Sequence, residues 1–176
     1  MVEIGPGLGH LTELLAQKAR RVLTIEIDKQ MSGPLEEVRR RRPNLEIAYG
    51  SAIDVAIPNC DKIVASLPFS IIEPLVRKLL KVRFKLATLV TGKKFAYEIQ
   101  AILSGPNYGR LSALAQRRYE VQLIGEVPKE SFWPSPRVTS AIINLKPLEP
   151  WRLKTKPAQF IVGELVTQPD KKVKMH

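Results

Sequence analysis

The sequence predicts an α/β domain built on a mostly parallel sheet that ends in an antiparallel hairpin. Three observations predict it. Short apolar runs alternate with stretches of helical period, which is the pattern of βαβ units. A glycine-rich turn, Gly5-Pro6-Gly7-Leu8-Gly9, joins the first apolar run to the first helical stretch. The last two apolar runs have no helical stretch between them, so they are expected to pair antiparallel.

Taken in order, "VEI" is a strand stub leading into Gly5, and "LTELLAQKA" carries leucines at helical spacing. "RVLTIEID" reads as a buried strand. "MSGPLEEVRRRR" reads as a helix from about Pro34, since proline suits a first turn. "LEIAYG" is a third strand, and "DKIVASLPF" a fourth that ends at Pro68. "IIEPLVRKLL" is expected to be helical after its proline. "FKLATLVTG" is a fifth strand and "KKFAYEIQAIL" a helix. "YEVQLIGEV" and "VTSAIINLKP" form the closing hairpin, with the proline-rich "PKESFWPSPR" between them. After Pro150 the chain is lysine-rich; "AQFIVGELV" reads as one more helix and "TQPDKKVKMH" as a frayed tail.

The 176 residues give room for one domain with a sizeable core. No apolar run approaches the roughly 18 residues needed to cross a bilayer, so no membrane association is expected. The single cysteine, Cys60, has no internal disulfide partner, which fits a reducing compartment, and it has no ligand-spaced neighbours that would hold a metal. Lysine and arginine number 28 against 17 acids, a net charge of +11. A phosphate-rich partner, RNA or DNA, is the natural inference; a merely basic surface is the competing one.

Gly5, Gly7 and Gly9 sit where a strand meets a helix, so a ligand can approach the backbone closely. Glu26 ends the second strand, where a carboxylate can accept from both ribose hydroxyls of a nucleoside. A dinucleotide site favours the spacing G-x-G-x-x-G. Here the spacing is G-x-G-x-G, and Glu3 lies just before it. An acid there suits a cationic ligand with an amino group, such as S-adenosylmethionine, and repels a pyrophosphate.

"SLPF", residues 66–69, closes the fourth strand beside that turn. Pro68 stiffens the backbone before it, and Phe69 can offer a ring face to a base or simply cap the core. Acceptors at this place suit methylation of an exocyclic amino group. They localise the nitrogen lone pair, and positioning lowers the remaining barrier.

With these motifs, the chain resembles the ribosomal RNA adenine dimethyltransferases of the small subunit, relatives of the erythromycin-resistance methylases and of mitochondrial transcription factor B. The matching stretches are "VEIGPGLGHLTELL", "VLTIEID", "VASLPFSI", "YGRLSALAQ" and "VPKESFWPSPRVTSAIINLKP", in family order from residue 2 to about 147. The resemblance implies a Rossmann-like class I S-adenosylmethionine-dependent methyltransferase fold with a seven-stranded sheet. It implies N6,N6-dimethylation of adenines in small-subunit ribosomal RNA, within ribosome biogenesis. Glu3, Gly5, Gly7, Glu26, Ser51 and Ser66 would bind the cofactor. Ser66, Leu67, Pro68 and Phe69 would form the amino-group motif. Phe132 would lie against the target base from the other side, and Arg110 and Arg137 would meet RNA phosphates. A cytoplasmic monomer acting on the small subunit or its RNA is expected.

The chain also departs from the family pattern. Ser66 stands where asparagine is usual, Ser51 where an aspartate contacts the cofactor's adenine amino group, and Gly92 and Lys94 where glutamine and glutamate are usual. Met1 falls inside the first strand. Residues 1–150 are expected to be the methyltransferase domain and 151–176 the remnant of a helical RNA-binding domain, in a fragment or a minimal member. These departures leave open a second reading, a non-catalytic RNA-binding assembly or transcription factor that kept the fold.

Overall fold

A computed structural model describes residues 1–102, 105–132 and 135–148, the Phe69 side chain excepted. Contacts divide the chain into two units, Met1–Thr91 and Gly92 onward. In the first, β1 (Val2–Ile4), β2 (Val22–Glu26), β3 (Leu45–Tyr49), β4 (Lys62–Ser66) and β5 (Leu86–Gly92) alternate with α1 (His10–Lys18), α2 (Ser32–Arg41) and α3 (Phe69–Leu79). In the second, α4 (Lys93–Gln100) and α5 (Arg110–Gln116) precede β6 (Tyr119–Val127) and β7 (Ser140–Pro147). The strand order is β3-β2-β1-β4-β5-β7-β6. The pairs among β1 to β5 are parallel and β6–β7 is antiparallel. This is the seven-stranded, mostly parallel sheet with an antiparallel hairpin that the sequence implies.

Burial explains the strands. Val2 and Ile4 are both 1% exposed, and Glu3 between them only 2%, so β1 is covered on both faces. Such strands read as continuous apolar runs rather than alternating ones. The helices cover the faces with stripes. On α3, Ile72, Leu75, Val76 and Leu79 recur at helical spacing and are fully buried. Ala16 of α1 and Val38 of α2 pack with Val22 and Leu45, the first residues of β2 and β3.

The arginine run at the end of α2 is largely spent on the fold. Arg41 and Arg42 both grip Glu13 on α1, at 3.0 and 2.8 Å, while Arg39 pairs with Glu36 at 2.7 Å. Partial burial pushes the Glu13 carboxyl up, but the hydrogen bond from Arg42 and the charges of both arginines outweigh it and hold the group below its ordinary value.

In the second unit, β6 carries a bulge between Leu123 and Gly125. The Leu123 N–H there donates to the Gln100 side chain at 3.1 Å, so the irregular backbone keeps a partner. Gln116 on α5 donates to the carbonyls of Ile99 and Ala101 at 3.0 and 2.7 Å, capping the end of α4.

Several boundaries differ from the sequence reading. β4 ends at Ser66, and α3 begins at Phe69 and runs through Pro74 instead of starting after it. Pro74 lies in the helix's second turn, so the carbonyl left without its donor is that of Ser70, an exposed residue that water can reach. α2 starts at Ser32, after a short turn at Lys29–Met31. The α5 helix was not expected, because "RLSALAQ" is too short to establish a period. The expected helix "AQFIVGELV", the tail after it and the whole 151–176 segment lie outside the described residues.

Replacing a fully buried residue of the α3 stripe tests this packing. Leu75→Ala is expected to cost about 2–5 kcal/mol of stability, read from the urea midpoint at constant denaturant dependence.

Candidate cofactor and acceptor site

The parallel register brings the chemistry-bearing residues into one row. Ala48, Ile25, Ile4, Ala65 and Leu89 align across β3, β2, β1, β4 and β5. The next residues along are Tyr49, Glu26, Gly5, Ser66 and Val90. Three of these, Glu26, Gly5 and Ser66, were singled out in the sequence for separate reasons. They meet at the carboxyl ends of the strands, where β1 is flanked by β2 and β4 and the strand order reverses; open α/β sheets bind ligands at that point.

Gly5 (φ +74°) packs directly on the acceptor motif. A Cβ there would lie 2.5 Å from Leu67 Cδ2 and 2.8 Å from the Ser66 carbonyl oxygen. Gly7 (φ +55°) differs: a Cβ there would meet nothing within 4 Å. The first glycine lets two strand ends touch, and the second faces space that a ligand can occupy.

Glu26 ties this turn to β2. It is 6% exposed, and its Oε2 accepts from the Gly7 N–H at 3.1 Å. Its Oε1 accepts from the Asp28 N–H at 2.8 Å. Its own carbonyl accepts from Gly50 N–H at 2.7 Å, which sets the exit of β3. A carboxylate has about four acceptor positions, so two backbone donors leave capacity for hydroxyl groups.

Glu3 lies deeper. Thr24 Oγ1 donates to its Oε2 at 3.2 Å, and no donor among the described residues reaches its Oε1. The Thr12 hydroxyl on α1 is also buried, beside this carboxyl. Burial pushes the Glu3 carboxyl above the usual carboxylate range; the neighbouring threonine hydroxyls oppose this, and the Glu26 charge adds to it.

Ser51 follows β3, and its Oγ accepts from the Ile53 N–H at 3.2 Å. Ser66 and Pro68 are exposed and Leu67 is half-buried. The Pro68 carbonyl accepts from Ile71 N–H at 3.0 Å, which starts α3 directly behind the motif. In the second unit, exposed Arg110 opens α5. Phe132 closes the short turn Lys129–Ser131, and Arg137 is exposed before β7. Contacts that sequence reasoning did not anticipate are the Asp28 and Gly50 amides on Glu26, the buried Thr12 and Thr24 hydroxyls, and Lys78, which reaches the loop after β3. Thr12, Thr24 and Asp28 lie within the matching stretches, and Gly50 and Lys78 outside them; only the folded register discloses their contacts.

The fold and this site define a Rossmann-like class I methyltransferase architecture. A family model for ribosomal RNA adenine dimethylases matches residues 1–176, and the chain belongs to that family. It is 40% identical over 149 residues to a probable ribosomal RNA small subunit methyltransferase A of Thermococcus gammatolerans, covering 84% of this chain and 52% of that protein. A like-named protein of Methanosarcina mazei is 36% identical over 164 residues, 93% of this chain and 58% of its own length. The chain thus spans about half the length of the curated relatives it matches. Among solved structures, a dimethyladenosine transferase from Plasmodium falciparum superposes with a TM-score of 0.83 at 31% identity, covering 98% of this chain and 64% of that one. The 23S rRNA methyltransferase ErmE does so with 0.76 at 28% identity, covering 97% and 71%.

Two outcomes check this geometry. Gly7→Ala should cost about 1 kcal/mol, from the left-handed backbone alone. Gly5→Ala should lose about 1–3 kcal/mol more through overpacking on Leu67 and Ser66; urea unfolding of both variants separates the two. For Glu3, a raised folded pKa means the native state holds its proton longer than the unfolded chain. Stability contributed by the neutral group is complete below the ordinary value of 4.5 and is lost as pH rises through the folded pKa. The stability of Glu3→Gln minus that of the parent should therefore be flat below that value and grow above it, as read from unfolding curves across pH.

Proposed function

We propose that the chain catalyses S-adenosylmethionine-dependent N6,N6-dimethylation of adenines in small-subunit ribosomal RNA. One observation carries the reading: the glycine turn and the Ser66-Leu67-Pro68 acceptor motif are in van der Waals contact at Gly5. Donor and acceptor chemistry therefore belong to one place. The family membership and the names of the relatives support the reading.

The residues fit the cofactor. The open space at Gly7 suits its methionine end, and Glu26, with acceptor capacity beyond its two amides, suits its ribose. Ser51, with the loop it opens after β3, would serve the base. When bound, S-adenosylmethionine supplies a methyl group on a positively charged sulfur. The protein's part is to hold and orient the acceptor. The Ser66 hydroxyl and the motif's backbone carbonyls accept from the adenine amino group, draw the nitrogen towards tetrahedral geometry and free its lone pair for in-line attack. The displaced amino proton passes to water. Positioning of this kind supplies about 7–11 kcal/mol in favourable cases, so no covalent nucleophile is invoked. The stacking roles of Phe69 and Phe132 and the phosphate contacts of Arg110 and Arg137 rest on the family resemblance. The same reading makes the protein a cytoplasmic monomer that acts on the small subunit or its RNA.

The second reading, an RNA-binding protein without catalysis, is favoured by one feature. The Ser51 hydroxyl oxygen is a weaker acceptor than a carboxylate and already takes the Ile53 N–H. The two readings separate in one assay. Labelled S-adenosylmethionine is incubated with small ribosomal subunits lacking adenine methylation, and the product nucleoside is identified by mass. Dimethyladenosine is expected. Bound RNA with no labelled adenosine would contradict the catalytic reading and favour the other.

A further inference from the structure

Lys78, in the last turn of α3, has no part in the motifs above. Its half-buried ammonium points across to the loop after β3 and donates to the carbonyls of Ile53 and Val55, at 2.7 and 2.5 Å. These bonds join segments more than 20 residues apart in sequence. Fixing a lysine side chain costs rotamer entropy, and partly desolvating its charge costs more. The arrangement is a clamp rather than a solvated surface charge.

The clamp acts on a specific object. Residues 50–55 fold tightly: Asp54 and Val55 N–H groups donate to the Ser51 carbonyl at 2.9 and 2.8 Å, and a Cβ on Gly50 would lie 2.6 Å from Val55 Cγ2. The Ser51 hydroxyl oxygen takes the Ile53 N–H at 3.2 Å. Ile53 is thus held through both of its backbone groups, by Lys78 at its carbonyl and by Ser51 at its N–H. Lys78 thereby fixes where Ser51 stands. It does so from the helix that grows out of the Ser66–Phe69 motif.

We propose that Lys78 is a positioning residue for the cofactor's base: it holds the 50–55 loop at the distance from which Ser51 and its neighbours read the exocyclic amino group of adenine. This rests on the cofactor reading given above. A serine has a shorter reach than a carboxylate and accepts more weakly, so its placement matters more.

The test uses a ligand pair that differs at that group. S-adenosylhomocysteine carries the amino group beside an N1 acceptor, and S-inosylhomocysteine carries an oxygen there beside an N1–H donor, so the pair inverts the hydrogen-bonding pattern of that edge of the base. Binding of each is measured calorimetrically to the parent chain, to Lys78→Met and to Lys78→Arg. The parent should prefer the adenosyl ligand by roughly tenfold, the worth of one good hydrogen bond. Lys78→Met keeps the apolar stem and removes the donors. It should lose most of that preference by weaker adenosyl binding, with inosyl binding unchanged, and Lys78→Arg should recover part of it. A general loss of folding would weaken both ligands alike, so the preference is the readout. Should Lys78→Met fail to fold, Lys78→Leu, which also lacks donors, carries the same prediction. Variants that keep the parent's preference overturn the proposal. A parent that binds both ligands equally also overturns it while leaving the cofactor reading intact. Binding of neither ligand brings down the cofactor reading itself.

Discussion

The buried carboxylate of Glu26 organises the whole edge of the first unit. It accepts two backbone N–H groups, from Gly7 in the turn after β1 and from Asp28 in the turn after β2. Hydrogen bonds to a charged acceptor are worth about 1.5–3 kcal/mol each, which is enough to hold two turns that have no regular structure of their own. Its carbonyl fixes a third, at Gly50. With the β2 end pinned in this way, the glycine turn closes onto the end of β4, and only a residue without a side chain fits at Gly5. The contact between the glycine turn and the Ser66–Leu67 segment follows from that constraint.

The same edge shows how the fold accommodates chemistry at a cost to stability. Glu3 is buried, and no donor among the described residues reaches its Oε1, an arrangement that an apolar core would avoid. The surface shows a related economy. Three arginines at the end of α2 serve Glu13, Glu36 and Glu37 within the fold, so the net charge of +11 overstates what this run offers to a polyanion.

Much of this was legible in the sequence because it depends on local rules. Alternating apolar runs and helical stretches gave the order of elements, and the missing helix before the last run gave the hairpin. Gly5 and Glu26 could be picked out from residue type and place, and Ser66 from the family resemblance. The sequence sets the serine motif beside the glycine turn, but not the register that brings Glu26, Gly5 and Ser66 level in one row, because register is set by pairing between distant segments. Pro74 misplaced the start of α3: the local rule that proline opens a helix competed with four fully buried residues that favour one continuous helix. Lys78 was invisible for a different reason. A lysine that clamps carbonyls has no pattern in sequence; its partners are backbone atoms that every residue possesses.

The central claim is that Glu26 serves the turn and the ligand with one carboxylate. Calorimetric titration of S-adenosylmethionine into the parent chain and into Glu26→Gln tests it most directly. The amide keeps an acceptor for one backbone N–H but loses the charge and half the acceptor capacity. The account predicts saturable binding by the parent and a loss of at least about tenfold in the variant. Equal affinity in the two proteins would contradict it, and would move the ligand away from the row of strand ends on which the site is built.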